Sequence, residues 1–156
     1  MTVIIATGAL SAAPASPAAA SDATLKAEIE SVLVELRPAL NEFQEAADGL
    51  VQAKDTARLQ TATQALRTGL SRYKWGVINR KTSSPNGATA KKLLLTGIRE
   101  FDIGLVQYEK GLEKLDAGAK KASVLSSLRT ASRRFAVAAM REEKALDALG
   151  VVRPDA

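Results

Sequence analysis

The sequence contains neither cysteine nor histidine among its 156 residues. Without them the chain has no thiol nucleophile, no Ser-His-Asp or Cys-His arrangement, and no histidine general base. It also lacks the thiolate and imidazole ligands of common zinc sites, and the Glu-x-x-His motifs of four-helix di-iron proteins. We therefore expect a protein that is not an enzyme and that uses no cofactor and no metal.

Aromatic residues and long apolar runs are also scarce. There are one tryptophan, two tyrosines and three phenylalanines, and the hydrophobic share comes from alanine, leucine and valine, which is typical of packed helices. No segment reaches the roughly 18 uncharged apolar residues that a membrane-spanning helix needs. The length corresponds to one domain, large enough to bury a core without disulfides.

Residues 1–20 carry no charge and differ in composition from the rest of the chain. A short apolar run from Val3 to Leu10 precedes a tract of alanine, serine and proline in which Ala18 and Ala20 fit an Ala-x-Ala cleavage site before Ser21. The basic residues that usually open a signal peptide are missing. The segment is predicted to be a signal peptide, which makes the mature protein secreted or extracytoplasmic; the alternative is a disordered Ala/Pro-rich tail.

Four stretches show apolar residues at alternating spacings of four and three, the pattern of helices with one face in a core. The first is expected to begin at Asp22, capped by Ser21, Asp22 or Thr24, with a kink or break at Pro38. The second follows a turn at Lys54 and Asp55, with Asp55 as its cap. The third ends at residues 116–118, and the fourth runs from about residue 120 to 149, with Gly118 and Gly150 as left-handed residues after the helices.

Small residues recur at one heptad position in three of these helices. The third helix has the most regular row, Gly97, Gly104 and Gly111. Matching rows are Ala62, Gly69 and Gly76 in the second helix, and Ala131, Ala138 and Ala145 in the fourth. Because glycine costs a helix roughly 0.5–1 kcal/mol relative to alanine, a row of three indicates a close approach of another helix. On the core-facing side of the helices, we also expect Ala139 of the fourth helix and Leu115 of the third helix to be buried.

These patterns predict an all-α, single-domain, antiparallel up-down-up-down four-helix bundle with close helix seams lined by glycine and alanine. The bundle is expected to cover residues 21–150, and residues 151–156 to form a C-terminal tail. A monomer or a homodimer is compatible with small-residue rows, since such rows can join chains as well as helices.

Charges segregate by helix. Residues 22–48 carry seven acidic and two basic residues, whereas residues 51–92 carry nine basic residues and one acidic residue. Residues 93–118 are again net acidic and residues 119–156 net basic. This alternation is predicted to give complementary charges between neighbouring helices. The basic residues of the fourth helix lack interleaved aromatics and a recognisable motif, so we do not expect nucleic-acid binding.

The most informative polar segment joins the second and third helices. Basic residues surround the loop at 82–87, next to the single tryptophan, and we take the following as a candidate ligand- or partner-binding site: Arg72, Lys74, Trp75, Arg80, Lys81, Lys91 and Lys92. Ser84 and Pro85 suit the N-cap and first position of the third helix. Lys91 and Lys92 then lie early in a helix, where the macrodipole favours negative charge, so they point to an anion site at the helix start.

We therefore expect an exported helical-bundle binding or interaction protein without catalytic activity. Its partner would be a protein or an acidic component of the cell envelope. The alternative is an anion or small-ligand binding protein that uses the basic loop and helix start at 72–92. Glu142 falls on the inward row of the fourth helix, where an apolar residue is expected. A buried glutamate with a shifted pKa would be a candidate acid or base, whereas near the end of the bundle we expect it to be paired with an arginine or lysine, or half-exposed.

Overall fold

The computed structural model describes residues 17–53 and 55–151, with side chains described for 21–49 and 55–151. These residues form four helices and no strand: α1 at Pro17–Ala53, α2 at Thr56–Asn79, α3 at Pro85–Asp116 and α4 at Lys121–Ala148. The all-α prediction is confirmed. Lys54, most of the segment predicted as a signal peptide, and residues 152–156 of the predicted tail lie outside the described residues.

The predicted helix ends are largely confirmed. The carboxylate of Asp55 accepts a hydrogen bond from the amide of Arg58, and the hydroxyl of Ser84 accepts one from the amide of Gly87. Gly118 and Gly150 have φ angles of 66° and 62°, which an L side chain rarely adopts. After α4, the amide of Val151 donates a hydrogen bond to the carbonyl of Leu146, so the helix ends in a Schellman-type motif around the predicted left-handed Gly150.

The start of α1 differs from the prediction. The helix begins at Pro17 rather than at Asp22, because proline suits the first helical position and the alanines that follow have the highest helix propensity. Asp22 therefore lies inside the helix and bonds the α2–α3 loop instead of capping α1. The helix also continues through Pro38, whose side chain is exposed. Of the two predicted outcomes at this proline, a kink or a break, the break is therefore wrong.

The core contains side chains from all four helices. Its largest fully buried members include Leu25, Ile29, Leu66, Leu94 and Leu105, and a smaller cluster of Ala46, Leu59, Ala62 and Leu112 lies at the other end of the molecule. Between the two clusters four aromatic rings meet, with centroids 4.8–6.5 Å apart: Phe43, Phe101, Tyr108 and Phe135. Ala139 and Leu115 are exposed, so their predicted interior positions are wrong.

The error at Ala139 follows from the way α4 meets α3. A Cβ atom built on Gly97 would lie 3.3 Å from the carbonyl oxygen of Ala138, and one built on Gly111 would lie 3.5 Å from the Cβ of Ser127. Ser127 and Ala138 are therefore the buried positions of α4 beside these glycines, and Ala139, the next residue along the helix, is exposed.

Ion pairs join neighbouring helices, as the charge alternation predicts. Arg58 pairs with Glu42 and Glu45 of α1, and Arg80 pairs with Glu28 of the same helix. Arg67 of α2 pairs with Asp102 and Glu109 of α3. Arg134 of α4 pairs with Glu100, which also belongs to α3. The Cα atoms of α1 and α4 nowhere come within 8 Å of each other in the described residues, so only side chains bridge these two helices.

Candidate functional site

A surface groove of about 950 Å³ runs between α2 and α3 and contains three of the predicted site residues. Its floor includes Leu70, Leu95 and Ile98, and its walls are polar. Predicted residues that line it are Arg72, Lys74 and Trp75. The side chain of Trp75 is 62% exposed, the largest aromatic surface that the described residues offer to a partner.

The charge of the groove is positive. Arg67 is neutralised by its ion pairs with Asp102 and Glu109. Arg72, Lys74 and Arg99 also line the groove, and none of the three forms an ion pair with a carboxylate in the part of the chain that the structure describes. The groove therefore combines an exposed indole ring, a leucine and isoleucine floor, and three cations whose charge is available to an acidic partner.

Two other predicted site residues are engaged in contacts within the protein. Arg80 binds the carboxylate of Glu28 through Nε, at 2.9 Å, and through a second guanidinium nitrogen. The Nζ atom of Lys91 donates hydrogen bonds to the carbonyl oxygens of Ile78 and Arg80, at 2.7 and 2.6 Å. Both side chains thus stabilise the end of α2, and Lys91 lies where a cation complements the C-terminal dipole of that helix.

The start of α3 already has a carboxylate beside it. Asp22 of α1 accepts a hydrogen bond from the hydroxyl of Ser84 and a 3.5 Å hydrogen bond from the amide of Ser83. Gly87, whose amide is bonded to Ser84, packs directly against the Asp22 carboxylate. Because this internal anion occupies the helix start, the described contacts favour the groove over the α3 N-terminus as the binding surface.

The remaining predicted residues, Lys81 and Lys92, are exposed. Lys92 shares a face of α3 with Leu95 and Arg99, at spacings of three and four residues, and Leu95 and Arg99 line the groove. Lys92 therefore extends the positive charge of the groove by one helical turn. Lys81 lies in the loop after α2, beyond the end of the groove.

Arg99 and Leu95 are groove residues that the sequence analysis missed. The predicted basic residues lie in the loop and its immediate flanks, whereas Arg99 lies about four turns into α3. Helical spacing could have identified both residues. One face of α3 carries Leu95, Arg99 and Asp102, at spacings of four and three residues. One face of α2 carries Arg67, Ser71 and Trp75, at spacings of four.

The described residues contain no group of three or more acidic side chains able to hold a metal ion. None of their helices is long and apolar enough to cross a membrane. The fold and the groove together define the class of the molecule, an all-helical protein with a basic, tryptophan-containing surface groove. No protein-family model, curated protein or solved structure matches the chain.

Proposed function

We propose that this chain is an exported, non-catalytic binding protein whose α2–α3 groove holds an acidic segment of a protein or of a cell-envelope polymer. The observation that carries the proposal is the exposed indole of Trp75 among the cations Arg72, Lys74 and Arg99. An aromatic ring that is apolar on its faces and polar at its edge is typical of contact surfaces. Carboxylates in a partner would meet the guanidinium and ammonium groups around it.

Titration with poly-L-glutamate tests the groove directly, because Trp75 is the single tryptophan and reports on its own surroundings. We expect a change in tryptophan fluorescence that weakens as salt concentration rises. The double variant Arg72→Glu/Lys74→Glu should lose the response. Its control, Arg129→Glu/Arg133→Glu, makes the same change in net charge on exposed positions of α4 outside the groove and should retain it. Equal loss in both variants would reject the groove as the site.

Export is supported by the uncharged segment with Ala18 and Ala20 before Ser21. Cleavage there would shorten α1 by four residues and leave Asp22, with its bonds to the α2–α3 loop, in the mature chain. N-terminal sequencing of the protein from its native cells should give Ser21 as the first residue, in an extracytoplasmic fraction. Cytoplasmic protein that retains Met1 would contradict export.

We also propose an up-down-up-down bundle in which α3 and α4 form a close seam. Support comes from the order of the contacts between helices. Glu28 and Glu42 of α1 meet Arg80 and Arg58 of α2, so the residue numbers rise in one helix as they fall in the next. In the same way, Gly97, Gly104 and Gly111 of α3 face successively earlier residues of α4: Ala138, Phe135 and Leu128.

Engineered disulfides test this arrangement, because the natural chain has no cysteine to interfere. A Cβ built on Gly111 would lie 3.5 Å from the Cβ of Ser127, and one built on Gly97 would lie 3.5 Å from that of Arg141, both within disulfide range. The pairs Gly111→Cys/Ser127→Cys and Gly97→Cys/Arg141→Cys should therefore oxidise within the monomer. The mismatched pair Gly97→Cys/Ser127→Cys should stay reduced, and its oxidation at an equal rate would contradict the proposed direction of α4.

A further inference from the structure

The two most exposed large apolar side chains of the described residues lie in surroundings of opposite charge. Val34 of α1 is 67% exposed, and Trp75 of α2 is 62% exposed. The indole of Trp75 lies among the cations of the α2–α3 groove, whereas Val34 lies among carboxylates. Each surface therefore has an apolar centre for the other to cover and the charge that complements the other.

Glu30, Val34 and Glu35 form a surface that we call the acidic face of α1. Glu30 precedes Val34 by one helical turn, and Glu35 follows it directly. Both carboxylates are exposed, and neither forms an ion pair in the part of the chain that the structure describes. Arg37 is the single base among residues 30–38, so the acidic face keeps a net negative charge.

The groove matches the acidic face in charge and in length. Arg72 and Lys74 lie close to Trp75 along α2, and Arg99 lies across the groove on α3. The wall that α2 contributes runs from Gln64 to Trp75, which at a rise of 1.5 Å per residue is about 16 Å. That length accommodates about three turns of a second helix.

The acidic face cannot reach the groove of its own chain. Ile29, Val32 and Leu36, on the opposite side of α1, are buried in the core, so the acidic face points away from the bundle. The carboxylates of α1 that do contact α2, Glu28 and Glu42, are paired with arginines outside the groove. Contact between the acidic face and the groove therefore requires two molecules.

We propose that the α2–α3 groove of one copy binds the acidic face of α1 in a second copy of the chain. Val34 packs against Trp75, and the carboxylates on either side of Val34 pair with the cations of the groove. The inference rests on the proposed function, because it names the acidic partner of the same groove: the partner is the chain itself.

Analytical ultracentrifugation of the full chain tests the self-association. We expect the natural protein to associate reversibly, and to do so more weakly as salt concentration rises. Glu30→Lys/Glu35→Lys should weaken the association by about 100-fold or more, because like charges then face each other. The control Glu113→Lys/Asp147→Lys makes the same change in net charge on exposed positions of α3 and α4 and should associate as the natural protein does.

Mixing two variants tests whether the two surfaces bind each other. Neither Glu30→Lys/Glu35→Lys nor Arg72→Glu/Lys74→Glu should associate with itself, whereas an equimolar mixture should associate. In the mixture, the first variant supplies an intact groove and the second an intact acidic face. Both variants keep a positive net charge, so their overall charges do not attract each other.

Three results would overturn the inference: a natural chain that stays monomeric at its highest soluble concentration, Glu30→Lys/Glu35→Lys that associates as the natural chain does, or a mixture that stays monomeric. Titration of Glu30→Lys/Glu35→Lys with poly-L-glutamate tests the proposed function separately, because this variant has an intact groove and no second copy competing for it. A fluorescence response without self-association of the natural chain would reject only the present inference. Self-association without a response to poly-L-glutamate in this variant would reject only the proposed binding of other acidic chains.

Discussion

The Nζ atom of Lys91 lies 2.6 Å from the carbonyl oxygen of Arg80 and donates a hydrogen bond to it across the α2–α3 loop. A second bond from the same ammonium group reaches the carbonyl of Ile78. A lysine near the start of α3, where its charge opposes the dipole of its own helix, thus stabilises the end of the helix before it. Its neighbour Lys92 is exposed and makes no such contact with the described residues.

Replacement of Lys91 by methionine should lower the free energy of unfolding by about 0.5–1.5 kcal/mol, because the last carbonyls of α2 lose their donor. Lys92→Met is the matched control and should change stability by less than about 0.5 kcal/mol. Urea denaturation of the two variants measures the difference. Equal effects would show that the Lys91 contacts contribute nothing to stability.

The helices, their ends apart from the start of α1, and the inter-helix charge pairs could be predicted because they depend on local rules: spacing, capping residues and charge sign. The roles of Arg80, Lys91 and Asp22 could not, since each depends on which residues another helix brings within reach. Arg80 and Lys91 are each adjacent in the sequence to another basic residue, Lys81 and Lys92. Only Arg80 and Lys91 form hydrogen bonds that stabilise the end of α2 in the described residues. The burial of the Tyr73 hydroxyl without a hydrogen-bond partner among the described residues could not be predicted either, because it depends on how the other helices pack around this side chain.

Leucine at Gly104 should destabilise the protein by about 1–3 kcal/mol through overpacking. A Cβ at this position would lie 2.5 Å from the ring of Phe135 and 3.3 Å from the Cβ of Arg134. The ring has little freedom to move, because Phe101, Tyr108 and Phe43 surround it. Thermal or urea unfolding gives the change in stability.

The control for this variant is Gly49→Leu. Gly49 is also helical, but nothing lies within 4 Å of a Cβ built there, so leucine should be neutral or stabilise by up to about 1 kcal/mol through its better helix propensity. A Gly104→Leu protein as stable as Gly49→Leu would show that α3 and α4 are not in close contact at this position.

The ion pair of Arg58 with Glu42 should contribute to stability in a pH-dependent way. Hydrogen bonds from Arg58, at 2.8 and 3.2 Å, hold the pKa of Glu42 below its ordinary value of 4.5. Because the pKa is lower in the folded state, the stabilisation is present above the pKa of the unfolded chain and is lost as the pH falls through the folded value. The melting temperature of Arg58→Gln should thus lie below that of the natural protein at neutral pH, and the gap should close in acid. Arg129→Gln, which removes an arginine that forms no ion pair among the described residues, should show no such closing.

The two tyrosines should resist ionisation while the protein is folded. Burial raises the pKa of Tyr73 above its ordinary value of 10, with further contributions from Glu142 and Glu28, and burial also raises that of Tyr108. The unfolded chain therefore releases these protons first, so stability falls as the pH rises through about 10. Near-ultraviolet absorbance of phenolate should appear in the urea-unfolded protein at a lower pH than in the folded protein.

Tyr73→Phe separates the contribution of Tyr73 from that of the lysines, which titrate in the same range. At neutral pH this variant should be at least as stable as the natural protein, to within about 1 kcal/mol, because it removes a buried hydroxyl that has no partner among the described residues. At alkaline pH it should lose less stability than the natural protein does. A large loss of stability at neutral pH would instead mean that the Tyr73 hydroxyl is satisfied, and parallel alkaline profiles would mean that it ionises as an exposed phenol does.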